Sequence, residues 1–390
     1  MGGEEKRNML TEDSKVGELI MPKIKRTIKR AITFCAPVAL NRISLSAEDA
    51  RAILTDWCPC PTGTCEAENA VELTYDLQII VPAYNVEKYI GDCLRSIAAQ
   101  ATHYRCLAVI VNDGSTDGTA AAIDQIAANW DGQIAIEVFT QPNSGASEAR
   151  NAAIRKLRGE YVMFMDGDDI LPADAVESML NAAKKTNADL LQGSWFDFFE
   201  SPANVTSEHI LQKEGVLSDN RGVFSGFPWG KLYKYTVLKR FQFPSGFWFE
   251  DTPVSFILAA MPYRFAAIKD VVYGYRQNLS GMTARTVSSR KSVESYWITE
   301  RCLAEFPSFG LSYDQRAYTY LLRQSVMNWN RTRKQPRKIR QALFIMTGEL
   351  MTAFFKDFNT DLPELRKIEK AIRNRRFLQY EMLMLGKSCG

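Results

Sequence analysis

Short apolar runs alternate with segments of helical periodicity between about residues 77 and 193. Amphipathic patterns near 87–99, 117–129, 145–157 and 173–186 predict helices. Five runs bounded by turn residues predict buried strands: Leu77–Val81, Leu107–Val111, Ile134–Phe139, Tyr161–Met165 and Asp189–Gly193. Strands that alternate with helices favour parallel pairing, so we expect an α/β fold with a mostly parallel sheet.

Helical patterns flank this segment on both sides. A basic amphipathic helix is predicted from about Pro22, and a second helix from Ser46 to Trp57. Beyond Ser292, segments near 292–305, 312–330, 336–356 and 362–376 are predicted to be helical. We therefore expect a helical extension with a Cys/Pro-rich connector over 1–75, a core domain over 76–288, and a basic helical region over 289–390.

The composition predicts a folded protein without a membrane span. Of the 390 residues, 46% are hydrophobic and 24% are charged, which is ordinary for a globular chain. The longest uncharged apolar runs, Ala31–Asn41 and Thr252–Tyr263, are too short to cross a bilayer. Glu4 and Glu5 stand where a secretory signal needs positive charge, so we expect a cytoplasmic protein.

Histidine and cysteine usage narrows the chemistry. The chain has two histidines, too few for a multi-histidine metal site and poor material for a Ser/His/Asp or Cys/His enzyme, so carboxylates are expected to carry the chemistry. Cys58, Cys60 and Cys65 lie within eight residues of one another. They favour a rigid Pro/Gly connector, with a zinc site or a regulatory disulfide as the alternative, because no fourth ligand is evident nearby.

The positive charge is concentrated in two places. From Arg323 to Arg376 there are 14 basic and 5 acidic residues, a net charge of +9, which leaves −6 for the other residues. The second place is Lys23–Arg30, where Ile24, Ile28 and Ile32 share one helix face. These segments predict either peripheral contact with the inner face of the cell membrane or ordinary solvated helix faces.

The strongest chemical signal is the loop Asp166-Gly167-Asp168-Asp169, which follows a predicted buried strand. Adjacent carboxylates repel one another, and an all-oxygen ligand set suits Mg²⁺ or Mn²⁺ bridging to substrate phosphates. A helix N-terminus, where acids favour the helix dipole, is the alternative interpretation.

Four loops in register resemble those of the family-two glycosyltransferases of the GT-A fold. They are Pro82-Ala83-Tyr84-Asn85, Asn112-Asp113-Gly114-Ser115-Thr116-Asp117-Gly118-Thr119, Asn143 to Asn151, and the Asp166 loop. The resemblance covers roughly Leu77 to Ser280. It implies a GT-A, Rossmann-like nucleotide-diphospho-sugar transferase core.

The resemblance also implies roles for individual residues on the donor side. Pro82, Tyr84, Asn85 and Asp113 would hold the base of a nucleotide sugar, usually uridine, because a carboxylate can accept from the uracil N3 hydrogen. Further contacts to the nucleotide or the metal would come from Arg150, Asp166, Asp168 and Arg276. Among these, Asp166 and Asp168 look like the family's metal-binding pair, with Asp166 near the ribose, and Asp169 would support them.

On the acceptor side, Glu250-Asp251 resembles the pair whose aspartate is the family's general base. A capping acid for the helix that follows is the alternative, with Glu250 as the first substitute for the base. Trp229-Gly230-Lys231-Leu232-Tyr233 resembles the family's Asn-Lys-Leu-Tyr element, with Gly230 where Asn is usual. Arg276, with Tyr275 and Ser280, resembles the lid segment and could meet the diphosphate; a surface arginine is equally consistent with the sequence.

We expect an inverting, non-processive and metal-dependent glycosyltransferase that uses a UDP-sugar, since the Gln-x-x-Arg-Trp sequence of processive synthases is absent. Its acceptor would be a hydroxyl of a glycan or of a lipid-linked sugar, and no nucleic-acid partner is expected. The rival hypotheses are a sugar-phosphate nucleotidyltransferase and a catalytically silent nucleotide-binding scaffold. No Gly-rich phosphate loop follows Val81, which disfavours the nucleotidyltransferase.

Overall fold

A computed structural model describes residues 43–219, 223–278 and 286–387. The predicted basic helix over Lys23–Arg30, and Ser280, lie outside these residues. Within them the strands form one sheet in the order β3-β2-β1-β4-β8-β5-β9-β7, and β6 pairs with β5. The strands are β1 (Ala70–Ala83), β2 (Cys106–Asn112), β3 (Ala135–Thr140), β4 (Lys156–Phe164), β5 (Leu190–Phe198), β6 (Val205–His209), β7 (Gly215–Leu217), β8 (Lys231–Lys234) and β9 (Phe265–Arg276).

The parallel part of the sheet confirms the α/β prediction. Strand β1 pairs in parallel with β2 and β4, and β2 pairs in parallel with β3. The short strand β8 is antiparallel to both β4 and β5, while β5 and β9 pair in parallel. Parallel strands end at the same edge of a sheet, so the loops after β1, β2, β3 and β4 meet there.

Helices cover both faces of the sheet. Along β1, Ile79 and Val81 belong to one apolar core and Ile80 to the other, because successive side chains of a strand point to opposite faces. The helices between the strands are α2 (Ile90–Ala98), α3 (Thr119–Ala128), α4 (Ala146–Ile154) and α5 (Ala175–Thr186). They match the predicted helical segments. Strand β1 starts seven residues before the predicted one, and these additional residues are exposed or only partly buried.

The predicted helices outside the central segment are also present where the chain is described. Helix α1 (Ala47–Trp57) begins as predicted at Ser46, whose hydroxyl accepts a hydrogen bond from the Asp49 amide at 3.0 Å. After the short α6 (Tyr235–Leu238) come α7 (Glu294–Ala304), α8 (Gln315–Thr332), α9 (Arg337–Phe355), α10 (Pro363–Arg373) and α11 (Phe377–Lys387). Their buried side chains share one core with α1, α4 and one face of the sheet, so the helical region packs directly on the central domain.

The Cys/Pro-rich connector packs against α7. The Cys58 thiol lies 3.9 Å from a carboxylate oxygen of Glu294, and the Cys65 amide donates to Glu305 at 2.7 Å. Burial, reinforced by the Glu294 charge, raises the pKa of the Cys58 thiol to about 11. Among the residues described, no group of three or more His, Cys, Asp or Glu side chains is placed to hold a metal. In this structure the Cys58 and Cys65 thiols are buried packing groups.

Candidate active site

The loop after β2 is organised around the buried carboxylate of Asp113. Its Oδ1 accepts from the Gln141 amide at 2.8 Å and the Ser144 backbone N–H at 2.9 Å, and its Oδ2 accepts from the Gly145 N–H at 2.8 Å. Gly114 has φ +66°, and a Cβ there would lie 2.6 Å from the backbone nitrogen of Asn143. Asp113 therefore joins the β2 and β3 loops, and the close approach of the two loops requires glycine at 114.

The loop after β1 lies against the same region. Pro82 is the next-to-last residue of β1, and Tyr84, which directly follows the strand, is 46% exposed. Asn85 has a positive φ of 52°, and its side-chain oxygen accepts from the Thr116 amide at 2.8 Å. The structure thus brings the predicted base-binding residues of β1 together with the Asp113 loop, and leaves the Tyr84 ring available at the surface.

The acidic loop after β4 has two partly exposed carboxylates and one that is fully buried. Asp169 is the buried one: it accepts from the Arg276 backbone N–H at 2.7 Å and from the Tyr273 hydroxyl at 2.6 Å. The Tyr273 hydroxyl in turn accepts from the Asp166 backbone N–H at 3.0 Å. Burial, and then the charges of Asp168 and Asp166, raise the pKa of Asp169 well above its usual range. Asp169 therefore anchors the loop to β9.

Arg276 lies behind the acidic loop. Its Nε donates to the Asp168 carbonyl at 2.7 Å, Nη2 donates to the Asp92 carboxylate at 3.0 Å, and Nη1 donates to the Glu200 carbonyl. The guanidinium also lies 4.5 Å from the Phe198 ring centroid, and the residue is 3% exposed. The surface-arginine interpretation is wrong. Each of the three nitrogens donates to the protein, and through Nε Arg276 fixes the backbone of Asp168. The expected diphosphate contact stays a prediction.

A buried arginine connects the two predicted halves of the site. Arg150, on α4, donates from Nη2 to Asp166 Oδ1 at 2.7 Å and from Nη1 to Glu250 Oε1 at 2.8 Å. Its side chain is 5% exposed and lies 5.2 Å from the Phe243 ring centroid. Burial lowers the pKa of this guanidinium, but the charges of Asp166 and Glu250 outweigh burial and raise it. The predicted donor-side and acceptor-side acids therefore share one cation.

Asp251 and Glu250 lie half-buried next to an arginine that the sequence did not point to. Burial raises the pKa of the Asp251 carboxyl, and the positive charges of Arg331 and Arg150 partly oppose this effect. Arg331 is near the end of α8, lies 3.9 Å from the Phe249 ring centroid, and donates to the Ser295 hydroxyl at 2.9 Å. The C-terminal helices thus contribute a charged group to this site.

Asp166 and Asp168 have the donor chemistry that a divalent cation requires. Burial, and then the charge of Asp166, raise the pKa of Asp168 to about 6, so ionised Asp168 lacks sufficient compensation from the protein alone. Asp169 is already engaged by Tyr273 and Arg276. Two carboxylates are the number that Mg²⁺ usually takes from a protein when substrate phosphates complete its shell, so the residues fit such an ion.

Of the two basic segments predicted to contact a membrane or solvent, the structure describes one. Lys23–Arg30 is outside the described residues. Within Arg323–Arg376, several arginines bind the protein itself: Arg340 pairs with Glu381 at 2.8 Å, and Arg375 donates to the Leu45 carbonyl at 3.0 Å. Most of the other basic residues are exposed. Along the described part of the chain, no helix is both long and apolar enough to span a bilayer.

The mostly parallel sheet has helices packed on both faces and acidic residues at one edge. This is a GT-A-type nucleotide-diphospho-sugar transferase fold. Residues 78–241 match a family model described as glycosyl transferase family 2.

Two curated relatives come from Streptococcus pneumoniae. Glycosyltransferase GlyA is 30% identical over 217 residues, which are 51% of this chain and 30% of GlyA. Glycosyltransferase GlyG is 27% identical over 225 residues, which are 54% of this chain and 73% of GlyG. This chain thus spans less than a third of GlyA and nearly three quarters of GlyG.

Among solved structures, residues 1–349 of S. aureus TarS, crystallised with UDP-GlcNAc, superpose with a TM-score of 0.63 at 20% identity. The superposition covers 81% of this chain and 92% of that one. At this identity the likeness shows the fold.

Proposed function

We propose that the chain is an inverting, non-processive glycosyltransferase that moves a sugar from a UDP-sugar to a hydroxyl of a glycan or a lipid-linked sugar. One observation carries the proposal: buried Arg150 binds both Asp166 and Glu250, so the acids expected at the donor diphosphate and at the acceptor hydroxyl line one site. A nucleotide-binding fold alone would not need the second acid pair there. TarS was solved with UDP-GlcNAc, so UDP-sugars are the first donors to test.

In the proposed reaction, Asp251 accepts the proton of the acceptor hydroxyl while that oxygen attacks the anomeric carbon. The bond from the anomeric carbon to the diphosphate oxygen breaks, and its electron pair leaves with UDP. A single displacement of this kind inverts the anomeric centre. A raised pKa makes Asp251 a stronger base, while Arg331 and Arg150 limit the rise and help to keep it ionised.

On the donor side, Asp113 and the β1 loop would hold the uracil and Asp166 the ribose. Asp113 Oδ2 accepts one hydrogen bond from the described residues, which leaves it a lone pair for the uracil N3–H. Asp166 and Asp168 would hold Mg²⁺ or Mn²⁺, which when bound neutralises charge on the departing diphosphate. Arg276 and Asp169 position the Asp168 backbone and carboxylate.

The test is a panel of nucleotide sugars with UDP release as the readout, with and without excess EDTA. Asp251→Asn keeps the shape of the side chain but cannot take a proton, so turnover should fall by about 10²-fold or more while UDP affinity is nearly unchanged. Asp168→Asn should abolish most of the metal-dependent turnover while the fold persists.

Each rival hypothesis has its own outcome. Full turnover in EDTA would remove the metal from the mechanism. Equal loss of UDP affinity in Asp251→Asn would place Asp251 at the nucleotide rather than at the acceptor. UDP binding without turnover for any donor would favour a silent scaffold, and release of pyrophosphate from a nucleoside triphosphate and a sugar phosphate would favour a nucleotidyltransferase.

A further inference from the structure

An aromatic surface lies next to the acidic loop and is unused by the donor and the base. Strand pairing sets His209, Trp195 and Tyr273 side by side on β6, β5 and β9. The His209 ring stacks on Trp195 at 4.7 Å, and Trp195 meets the edge of Trp229 at 5.8 Å. Phe227 stacks on Trp229 at 4.6 Å with only 3° between the ring planes. We call the rings of Trp195, His209, Phe227 and Trp229 the aromatic platform.

The aromatic platform is continuous with the candidate active site. The Trp229 ring stacks on Tyr273 at 4.6 Å, and the Tyr273 hydroxyl contacts both the Asp169 carboxylate and the Asp166 amide. Trp229 also forms a parallel bridge to Phe164, the last residue of β4. The Trp229–Tyr273 stack therefore connects the aromatic platform to the loop that is expected to hold the donor diphosphate.

Phe227 is the most open ring of the aromatic platform. The Phe227 side chain is 43% exposed, although phenylalanine is among the residue types that are most often buried in proteins. The segment that carries it is held by Lys231, whose Nζ donates to the Ser225 hydroxyl and the Phe227 carbonyl at 2.6 Å each. Lys231 is fully buried, and burial lowers the pKa of its ammonium group well below the usual range. A buried lysine is costly, so the chain keeps this exposed ring in place at a cost in stability.

The polar groups at the rim suit hydroxyls rather than phosphates. The Asp197 carboxylate lies 3.1 Å from His209 Nε2 and 2.8 Å from the Ser207 hydroxyl, and the His209 side chain is 40% exposed. The Lys231 ammonium group that holds the Phe227 carbonyl is fully buried, so it does not offer an exposed positive charge to an anion on the aromatic platform. The C–H bonds of a pyranose ring have the weak positive charge that the face of an aromatic ring attracts, and sugar hydroxyls can donate to a carboxylate.

We propose that the aromatic platform is the acceptor subsite, and that it binds a neutral pyranose ring stacked on Phe227 with hydroxyls bonded to Asp197 or His209. This inference rests on the proposed glycosyltransferase activity of the same site, and it specifies the acceptor as an uncharged sugar rather than a polyol phosphate.

The test compares transfer with hydrolysis in wild type, Phe227→Ala, Phe227→Tyr and a control, Phe139→Ala. Phe139 is 50% exposed but lies on β3, at the opposite edge of the sheet. The acceptors are p-nitrophenyl pyranosides and, as the anionic alternative, sn-glycerol 3-phosphate. The donor is the UDP-sugar that wild type hydrolyses without acceptor. We expect Phe227→Ala to raise KM for the pyranoside by about tenfold while donor hydrolysis is unchanged. Phe227→Tyr and Phe139→Ala should behave as wild type.

Three results would overturn the proposal. A parallel fall of hydrolysis and transfer in Phe227→Ala would show that the ring contacts the donor sugar or supports the whole site. Unchanged KM for the pyranoside would show that the acceptor binds elsewhere. Faster transfer to glycerol phosphate than to every pyranoside would show a preference for an anionic acceptor.

Failure of the proposed function can be recognised separately. If wild type releases UDP from no nucleotide sugar, either alone or with any of the acceptors, the proposed activity is wrong. The aromatic platform is then tested by titrating methyl pyranosides and following tryptophan fluorescence. Saturable quenching that Phe227→Ala removes and Phe227→Tyr retains would support the sugar subsite without any donor. No saturable quenching in wild type would refute it.

Discussion

Replacing Arg150 by methionine removes the one cation that binds both Asp166 and Glu250. Both contacts are short, 2.7 and 2.8 Å, and the arginine side chain is 5% exposed. Methionine preserves much of the length of the side chain and its packing on Phe243, but leaves two carboxylates without their partner. Removal of one member of a buried ion pair typically costs about 3–5 kcal/mol of stability.

The size of this loss should depend on pH, because Glu250 can escape by taking a proton. From an ordinary carboxyl pKa of about 4.3, protonation costs about 4.4 kcal/mol at pH 7.5 and about 1.6 kcal/mol at pH 5.5. Burial already raises the pKa of Glu250, and Arg150 opposes that rise, so the variant should raise it further. A folded-state pKa above the unfolded value lowers stability as pH rises through it. The penalty should therefore be largest at pH 7.5 and shrink by about 2.7 kcal/mol by pH 5.5.

Urea unfolding at the two pH values measures this, with Arg158→Met as the matched control. Arg158 binds Glu137 through two hydrogen bonds of 2.6 and 2.7 Å, but the Glu137 side chain is 38% exposed. Such a pair should contribute about 1 kcal/mol or less. Without Arg158, Glu137 loses the hydrogen bond that lowers its pKa, but water can solvate its exposed carboxylate, so the small penalty of the control should not shrink between pH 7.5 and pH 5.5. Equal destabilisation of the two variants, or an Arg150→Met penalty that does not shrink at pH 5.5, would refute the reasoning.

Three further predictions concern the base, a loop and the surface. Arg331→Gln should raise the pKa of Asp251 and move the acid limb of the kcat/KM profile to higher pH, whereas Arg331→Lys should restore it; an unmoved limb would contradict the assigned charge effect. Gly114→Ala should weaken UDP binding measured by calorimetry, because its Cβ would meet the Asn143 backbone at 2.6 Å; unchanged affinity would mean that the two loops move independently. Arg366→Glu with Lys370→Glu, both exposed on α10, should reduce co-sedimentation with anionic vesicles but not with neutral ones; binding that ignores lipid charge would favour solvated helix faces.

The strands near the site, and the loops that follow them, could be predicted from the sequence because their signals are local. Each apolar run indicates its own burial, and each polar loop directly follows its strand, so parallel pairing places the Asp113 and Asp166 loops at one edge of the sheet. The same reasoning could not find β8. That strand is four residues long and pairs antiparallel with both neighbours, so no alternation extends far enough to identify it.

The contacts of the arginines were beyond prediction for a different reason. Arg331 carries no motif and is one of 14 basic residues in its segment, and only the packing of α8 on Phe249 and Ser295 sets it near Asp251. Arg276 has a motif, but the motif does not report that Asp92, Asp168 and Glu200 bind its guanidinium. Gly230, where the family usually has Asn, has φ +68°, a conformation that glycine and asparagine both tolerate.

The segment that matches the family model ends at residue 241, nine residues before Glu250 and far before Arg331 on α8. Exchange of that segment between relatives by recombination would transplant the donor-side loops but leave behind the acid proposed as the base and the arginine that faces it. Arg150 would be exchanged together with the donor-side loops, and it would then face the residue that the other parent has at position 250. Chimeras designed to change donor preference should therefore keep residues 146–332 from one parent, because the two halves share a buried network of charge.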